Sequence, residues 1–555
     1  MDKKKAKKTW MWLVPLAGLM AAAVPLRENY FELSKQLEIM TAMFRELNIY
    51  YVDEIQPGQL METGMDAMVE SLDPYTVYYP ESRVEDLRFM TTGEYGGIGA
   101  SMQFINDRHL IVEVLPDFPA ARAGLKIGDE LLAIDGQSLE GMDPDLVPEM
   151  LQGASGTTVD IQYRPNGSTA PVDLTIEREK IKLPAVPYRS VIGDSTGYVI
   201  LSAFTRGSSF ELRQAIRYLK DSVGVNQLVL DLRGNGGGLL QESISIVNLF
   251  VDKGQEVVST RGKKEEWMKS YSTMAPPLVP DLPVAVLIDE QSASASEIVS
   301  GTLQDLDRAI IVGQESFGKG LVQQTKPLAY GTKLKVTVAK YYTASGRCIQ
   351  RLDYGGKREE DGSARAFSDS TRQVFYTRNG RPVTDGAGVQ PDVEVDVPYM
   401  SYVLEGLYLN GILFDFANAW SAERDSIGPA AEFALQDADW EAFVDFALKH
   451  ESTAFESRTL DAFEQLETLA REEQFYALDS AAFDAFGSIL KPNIERDLNR
   501  FRDEITWALE EELVMRYHLQ TGVIDWSIPR DSTLNKAIDL MRSGAHETIL
   551  AGPTP

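Results

Sequence analysis

The stretch PVAVLIDEQSASASEIVSGTLQDLDRAIIVGQESFGKGLVQQ, residues 283–324, reads as strand, serine-rich turn, helix, strand and glycine-lysine turn. Val284 to Ile288 is an apolar run of strand length closed by Asp289, Glu290 and Gln291. The period then changes: Ile298, Leu303 and Leu306 have roughly helical spacing, and Ser294-x-x-Glu297 is a capping box that opens a helix beyond the strand end. A hydroxyl at such a place lies on the carboxyl edge of a sheet, at a helix N-terminus whose free N–H groups can stabilise an oxyanion. The ordinary meaning of the pattern is a cap, and taken alone it favours that meaning over a nucleophile.

What would activate the serine changes the balance. A serine hydroxyl needs a base to take its proton. The four histidines, His109, His450, His518 and His546, all fall outside residues 190–400, so a Ser-His-Asp triad is not expected. Lysine can act instead where burial disfavours its ammonium form. Lys319 is the candidate, between two glycines just after the apolar strand Ala309 to Val312, and Gln323 four residues on could hold its amine. Two other meanings compete. Gly313-x-x-x-x-Gly318-Lys319 nearly completes a phosphate-binding loop, but Gly320 stands where Ser or Thr would hold magnesium, and the following residues alternate like strands where that loop needs a helix. A surface lysine in a glycine turn is the plainer alternative.

The string Ser292-Ala-Ser294-Ala-Ser296-Glu297-Ile, with Lys319 twenty-five residues after Ser294 and then Gln323, resembles the C-terminal processing peptidases, or tail-specific proteases. The resemblance implies a serine-lysine endopeptidase with Ser294 as nucleophile, Lys319 as general base and Gln323 orienting the lysine; Ser292 and Ser296 receive no catalytic role. It also implies a protease core of the ClpP/crotonase-like α/β type. Asp231-Leu-Arg233-Gly-Asn235-Gly236-Gly237-Gly238 resembles the family's oxyanion-hole string, so the hole is assigned to Gly236 or Gly237 with the N–H of Ala295. Gly236 stands where the family frequently has proline, which leaves open which of the two amides points inward. Read without the resemblance, the same glycines make a strand-to-helix turn that lets bare backbone approach a substrate.

Residues 94 to about 179 resemble the PDZ modules of extracytoplasmic proteases, on Tyr95-Gly96-Gly97-Ile98-Gly99 and on Pro119 to Gly136. Such a turn presents N–H groups to a terminal carboxylate while the adjacent strand edge accepts the peptide as an added strand. Tyr95, Gly96, Gly97, Ile98 and Gly99 are the expected peptide-binding positions. The core from about 190 reads as a β-α-β unit: strand Gly197–Leu201, helix Phe210–Leu219, strand Gln227–Leu232. Cys348, the single cysteine, reads as a packed small residue, and Asp353 to about Arg372 as an exposed polar loop.

A length of 555 residues predicts three or four domains, and a formal net charge of -29 argues against nucleic acid as a partner. One cysteine forbids an intrachain disulfide. Five lysines within Lys3–Lys8, followed by an apolar run from Trp10 to Val24, read as a signal peptide or N-terminal membrane anchor, with the remainder extracytoplasmic, in the periplasm or tethered at the inner membrane. Residues 28 to about 90 are expected to be helical, with Phe31, Leu33, Leu37, Met40, Phe44 and Leu47 on one face and a second helix near Leu60 to Leu72 that stops at Asp73-Pro74; Leu72-Asp73-Pro74-Tyr75 followed by Tyr79-Pro80 resembles the same peptidases' N-terminal region, and that resemblance suggests a dimer. Residues 401–555 carry 29 acidic against 12 basic residues on amphipathic periodicity, with Phe443, Phe455, Phe463 and Phe475 among the charges. They are expected to form an acidic helical domain that gates the site, holds an oligomer or docks an adaptor, and whose removal alters regulation or assembly more than chemistry.

The expected architecture is therefore multidomain α+β: a signal or anchor (1–26), an N-terminal helical region (27–92), an inserted PDZ-like β domain (93–180), the peptidase core (181–400) and an all-helical C-terminal domain (401–555). No metal or cofactor is implied, since no His/Cys/Asp/Glu set has zinc-ligand spacing. The expected partners are proteins or peptides with apolar C-termini. The alternative is a catalytically silent or partner-activated peptide-binding scaffold of the same fold.

Overall fold

The computed structural model describes residues 30–193, 195–359, 361–396, 399–449, 458–491 and 493–553. The expected signal or anchor over 1–26, and Phe455, lie outside the described residues. No helix among those described is long and apolar enough to cross a membrane.

The chain divides into two units. The smaller comprises residues up to Glu81 together with Thr325–Val336. Its helices run over 30–50 and Pro57–Glu70, the second with proline in its first turn, where no N–H partner is lost. The apolar face expected on the first helix stands largely in solvent, with Phe31 70% and Leu37 56% exposed. The second helix stops just before Asp73-Pro74, as the sequence predicts, but the helical pattern expected over 28–90 is interrupted by a strand before helix resumes at Val84–Thr92. Asp73 accepts the N–H groups of Tyr75 (2.9 Å) and Thr76 (2.8 Å), which turns the chain at Pro74. The aromatic and β-branched residues Val77–Tyr79 then form a strand, antiparallel to Lys333–Lys335.

The larger unit is built on a six-stranded sheet in the order Tyr188–Ile192, Thr196–Ile200, Gln227–Asp231, Val284–Ile288, Ile310–Gly313, Val393–Glu394. The first pair is antiparallel and the rest are parallel. Parallel strands covered on both faces read as continuous apolar runs, as these do. One face packs on helices Ser208–Arg217, Leu240–Val247 and Ala295–Asp305 through Leu212, Ile216, Val247, Ile298 and Leu303. The other face, with Val229, Ala285, Leu287, Ile310 and Val312, is covered by Leu534, Ala537, Ile538 and Met541 of the helix Ser532–Arg542. The helix Ser532–Arg542 is thus a layer of the α/β core rather than an appendage.

A second six-stranded sheet lies within residues 100–177, ordered Ala100–Ile105, Arg108–Val114, Glu130–Ile134, Thr158–Arg164, Val172–Glu177, with Gln137–Ser138 beside the third strand. Ala100–Ile105 is one of its edges. The helices between Tyr402 and Ala422 lie against this sheet: Arg108 makes two bonds to Asp415 (2.8 and 2.7 Å), and Phe414 packs on Leu110 and Ile127. Within the stretch expected as a loop, Asp353 to about Arg372, the strands Leu352–Arg358 and Ala364–Ala366 form a hairpin. Leu352, Asp353 and Arg358 pair across the hairpin, and the register shifts between Asp353 and Arg358, so Gly355 and Gly356 fall in its irregular stretch.

Candidate active site

Ser294 stands between the strand Val284–Ile288 and the helix Ala295–Asp305 at φ 56°, ψ -107°, outside the usual conformations of a side-chain-bearing residue. Its neighbours hold that turn. The Ser292 hydroxyl donates to the carbonyl of Leu232 (2.8 Å) and that of Ser296 to the carbonyl of Asn235 (2.8 Å). Both serines are fully buried, whereas Ser294 is only half-buried. The flanking serines are therefore staples between the serine turn and the glycine loop, and the middle one alone faces the site.

The glycine loop lies against the serine turn. A Cβ on Gly237 (φ 97°) would come within 2.6 Å of the Ala293 carbonyl and 2.8 Å of the Ala295 nitrogen, so this position tolerates only glycine. The Gly237 N–H donates to Asn235 Oδ1 (2.9 Å). Gly236 is exposed, with open space around its Cα, and its N–H and that of Ala295 have no hydrogen-bond partner among the described residues. For Ala295, the first residue of its helix, that is the ordinary state of an N-terminal amide.

Lys319 is half-buried in the turn before the strand Leu321–Pro327, less enclosed than the sequence reading expects of a lysine base. The turn is backed by Gln350, whose Oε1 accepts the Gly320 N–H (2.8 Å), and by the Arg351 N–H on the Gly318 carbonyl (3.0 Å). The Gln323 amide donates to Thr337 Oγ1 (3.2 Å). A strand after Gly318-Lys319 disposes of the phosphate-loop alternative, which requires a helix there.

One carboxylate joins the two turns. Glu297 is fully buried and accepts the backbone N–H groups of Ser294 (2.7 Å), Lys319 (2.9 Å) and Gly318 (2.7 Å) and the Ser316 hydroxyl (2.6 Å). Burial pushes its pKa up, and these four hydrogen bonds pull in the opposite direction. The sequence shows Glu297 only as a capping residue. Its further partners lie around residue 318, and nothing local to Glu297 points there.

Tyr95, Gly96, Gly97 and Ile98 line a cavity of about 980 Å³, together with the edge-strand residues Ala100, Ser101 and Met102 and with Glu149 and Leu151 of the helix Val147–Leu151. Phe89 of the helix Val84–Thr92 also lines it and meets the Tyr95 ring edge-on at 5.5 Å. Gly99, expected with them, does not line this cavity; its φ of 78° turns the chain beside Phe118. An unpaired strand edge beside a glycine turn is the arrangement by which an extended peptide adds to a sheet.

A model of peptidase family S41 matches residues 195–355, a PDZ domain model matches 110–165, and a model described as probable PDZ-protease, C-terminal helical domain, matches 403–541. The carboxy-terminal-processing protease of Bartonella bacilliformis is 39% identical over 321 residues, which are 57% of this chain and 73% of the relative. The chain belongs to the carboxy-terminal-processing proteases. A probable CtpA-like serine protease of Staphylococcus haemolyticus is 33% identical over 363 residues, 63% of this chain and 72% of the relative. Among solved structures, a photosystem II D1 C-terminal processing protease is 27% identical, with a TM-score of 0.35 over 65% of this chain and 93% of that one.

This carboxy-terminal-processing protease is a serine-type peptidase with a PDZ domain, and the silent-scaffold alternative is not favoured. Its glycine loop has an anchor that sequence reading missed. Arg233 binds Asp231 (2.6 Å) and also Asp531 (2.6 Å), whose side chain caps the helix Ser532–Arg542. Burial opposes the charge of this guanidinium, but the two carboxylates outweigh it and push its pKa up. Asp305 fixes the other end of the helix Ala295–Asp305, accepting from Thr343 Oγ1 (2.5 Å) and the Ser345 N–H (2.9 Å) and forming an ion pair with Arg347 (2.9 Å). Cys348 is half-buried, and burial pushes its thiol pKa up, the opposite of what a nucleophilic cysteine needs.

Proposed function

We propose that the peptidase cleaves protein substrates presented by their C-terminal tails, with Ser294 as nucleophile and Lys319 as general base. The observation that carries this reading is the Glu297 carboxylate, which binds the backbone of both residues and so ties a serine turn to a lysine turn far along the chain. In its neutral form the Lys319 amine takes the Ser294 proton as Oγ attacks the scissile carbonyl. The lysine then gives that proton to the leaving amine, so the acyl-enzyme forms as the peptide bond breaks. Water attacks the ester next, its proton passing to Lys319, and the serine is reprotonated as the acid leaves.

The developing oxyanion is met by the Ala295 N–H and by an amide of the glycine loop. Gly236 offers an N–H without a partner among the described residues, and Gly237 offers one on rotation away from Asn235 Oδ1. Gln323 orients the lysine. The cavity beside Ala100–Ile105 takes the tail, its carboxylate toward the glycine turn Gly96–Ile98 and its last side chain toward Leu151 and Met102, which favours aliphatic termini. We place the enzyme outside the cytoplasm, periplasmic or tethered, on the lysine-rich start and apolar run of residues 1–26, and as a dimer joined through its N-terminal region, with the acidic helices open to an adaptor.

The test is degradation of a loosely folded protein with an apolar tail by wild type, Ser294→Ala and Lys319→Ala. Cleavage by wild type and loss of at least about 1000-fold in both variants is expected. Wild-type rates in either variant would remove that residue from the mechanism.

A further inference from the structure

Glu297 holds the backbone N–H groups of Ser294 and Lys319, and the carbonyls of the same two residues share a second partner. The Tyr341 hydroxyl lies 2.6 Å from the Lys319 carbonyl oxygen and 3.0 Å from that of Ser294. A phenol has one proton to donate, so the bond is shared, with Lys319 the nearer acceptor. Ser294 relies on it less, since its carbonyl also accepts the Ile298 N–H (3.0 Å).

The strand carrying the tyrosine fixes where that hydroxyl can go. Tyr341 is 1% exposed within Lys333–Thr343, paired with Thr260 on one side, and its N–H donates to the Gly320 carbonyl (3.0 Å) on the other. Side chains alternate along a strand, so Lys340 and Tyr342 point away. There the Tyr342 ring carries the Arg261 guanidinium at 3.9 Å. Of these three neighbours, only residue 341 faces the gap between the serine and lysine turns.

We infer that Tyr341 is a positioning residue for acyl transfer, holding the backbone of the base in register with the backbone of the nucleophile. The inference rests on the Ser294–Lys319 reading above. With Glu297 on the amide side and Tyr341 on the carbonyl side, the two turns are held at both backbone edges. Loss of the hydroxyl frees the lysine turn to shift, and a misplacement of about 1 Å at reacting groups can cost on the order of 100-fold in rate.

The test compares full-length wild type, Tyr341→Phe, Tyr342→Phe, Ser294→Ala and Lys319→Ala, with rates normalised to the folded fraction and unfolding midpoints in urea measured alongside. Phenylalanine fills the ring's volume and removes only the donor. Tyr341→Phe is expected to lower kcat about 10- to 100-fold with KM unchanged and the unfolding midpoint near wild type, while Tyr342→Phe keeps the wild-type kcat. A Tyr341→Phe kcat within twofold of wild type, with Ser294→Ala and Lys319→Ala inactive, overturns the inference and leaves the dyad standing. So does a loss accounted for by a lower folded fraction. Activity surviving in Ser294→Ala or Lys319→Ala overturns the dyad and this inference with it.

Discussion

A buried carboxylate that accepts four hydrogen bonds is sensitive to a change of one atom. Glu297→Gln replaces one oxygen with an NH2 group, and each oxygen of Glu297 faces two donors. A donor turned toward donors forfeits both bonds, at about 1–3 kcal/mol, so kcat is expected to fall roughly 10- to 100-fold with KM little changed. The substitution also removes a titration. Because burial raises the Glu297 pKa above 4.5, the folded state holds that proton more tightly than the unfolded state. Its contribution to stability is therefore fully present below the unfolded pKa and is lost as pH climbs through the folded one. Urea unfolding across that range should show wild type declining relative to Glu297→Gln as pH rises, and parallel curves would show that the carboxylate does not titrate there. The serine and lysine turns were legible in sequence because each is a local turn signal. Glu297 and Tyr341 were not, since their roles arise from pairings that bring distant turns together.

The proposed peptide-binding element rests on close backbone approach. A Cβ on Gly96 would sit 2.0 Å from the Gly153 carbonyl oxygen, to which no adjacent side chain can yield. Gly153 in turn donates its N–H to the Gly96 carbonyl (3.1 Å). Gly96→Ala is thus expected to push the turn away from residue 153 and weaken binding of a peptide with an aliphatic C-terminus at least about tenfold, as measured by fluorescence anisotropy. Cleavage of a short peptide without such a tail should be retained, since the change lies outside the catalytic turns. Equal affinity for the tail would place its binding elsewhere. Here the glycine string was informative because tight turns need glycine. The hairpin at 352–366 was not, since glycine and charge conceal the pairing.

At the scale of the whole molecule, the expectation that residues 401–555 serve regulation more than chemistry does not fit their packing. Leu534, Ile538 and Met541 are buried on the catalytic sheet, each worth ~1.5–3 kcal/mol, together about 5–9 kcal/mol. Total stabilities are about 5–15 kcal/mol, so a chain ending at residue 400 is expected to lose its cooperative thermal transition and to bind an apolar dye. A folded and fully active fragment would reverse this conclusion. Amphipathic periodicity made the helices legible, but a hydrophobic stripe does not say which surface it will cover.

That arrangement also has a history in time. The strands from Tyr188 to Val312 are complete long before the ribosome reaches Leu534, and at ~5–20 residues per second the interval is on the order of ten to forty seconds. Throughout it, the sheet face that carries Val229, Leu287 and Ile310 has no cover. Until the helix Ser532–Arg542 arrives, that face is an apolar surface open to association with other chains, and the core is complete only once the helix covers it.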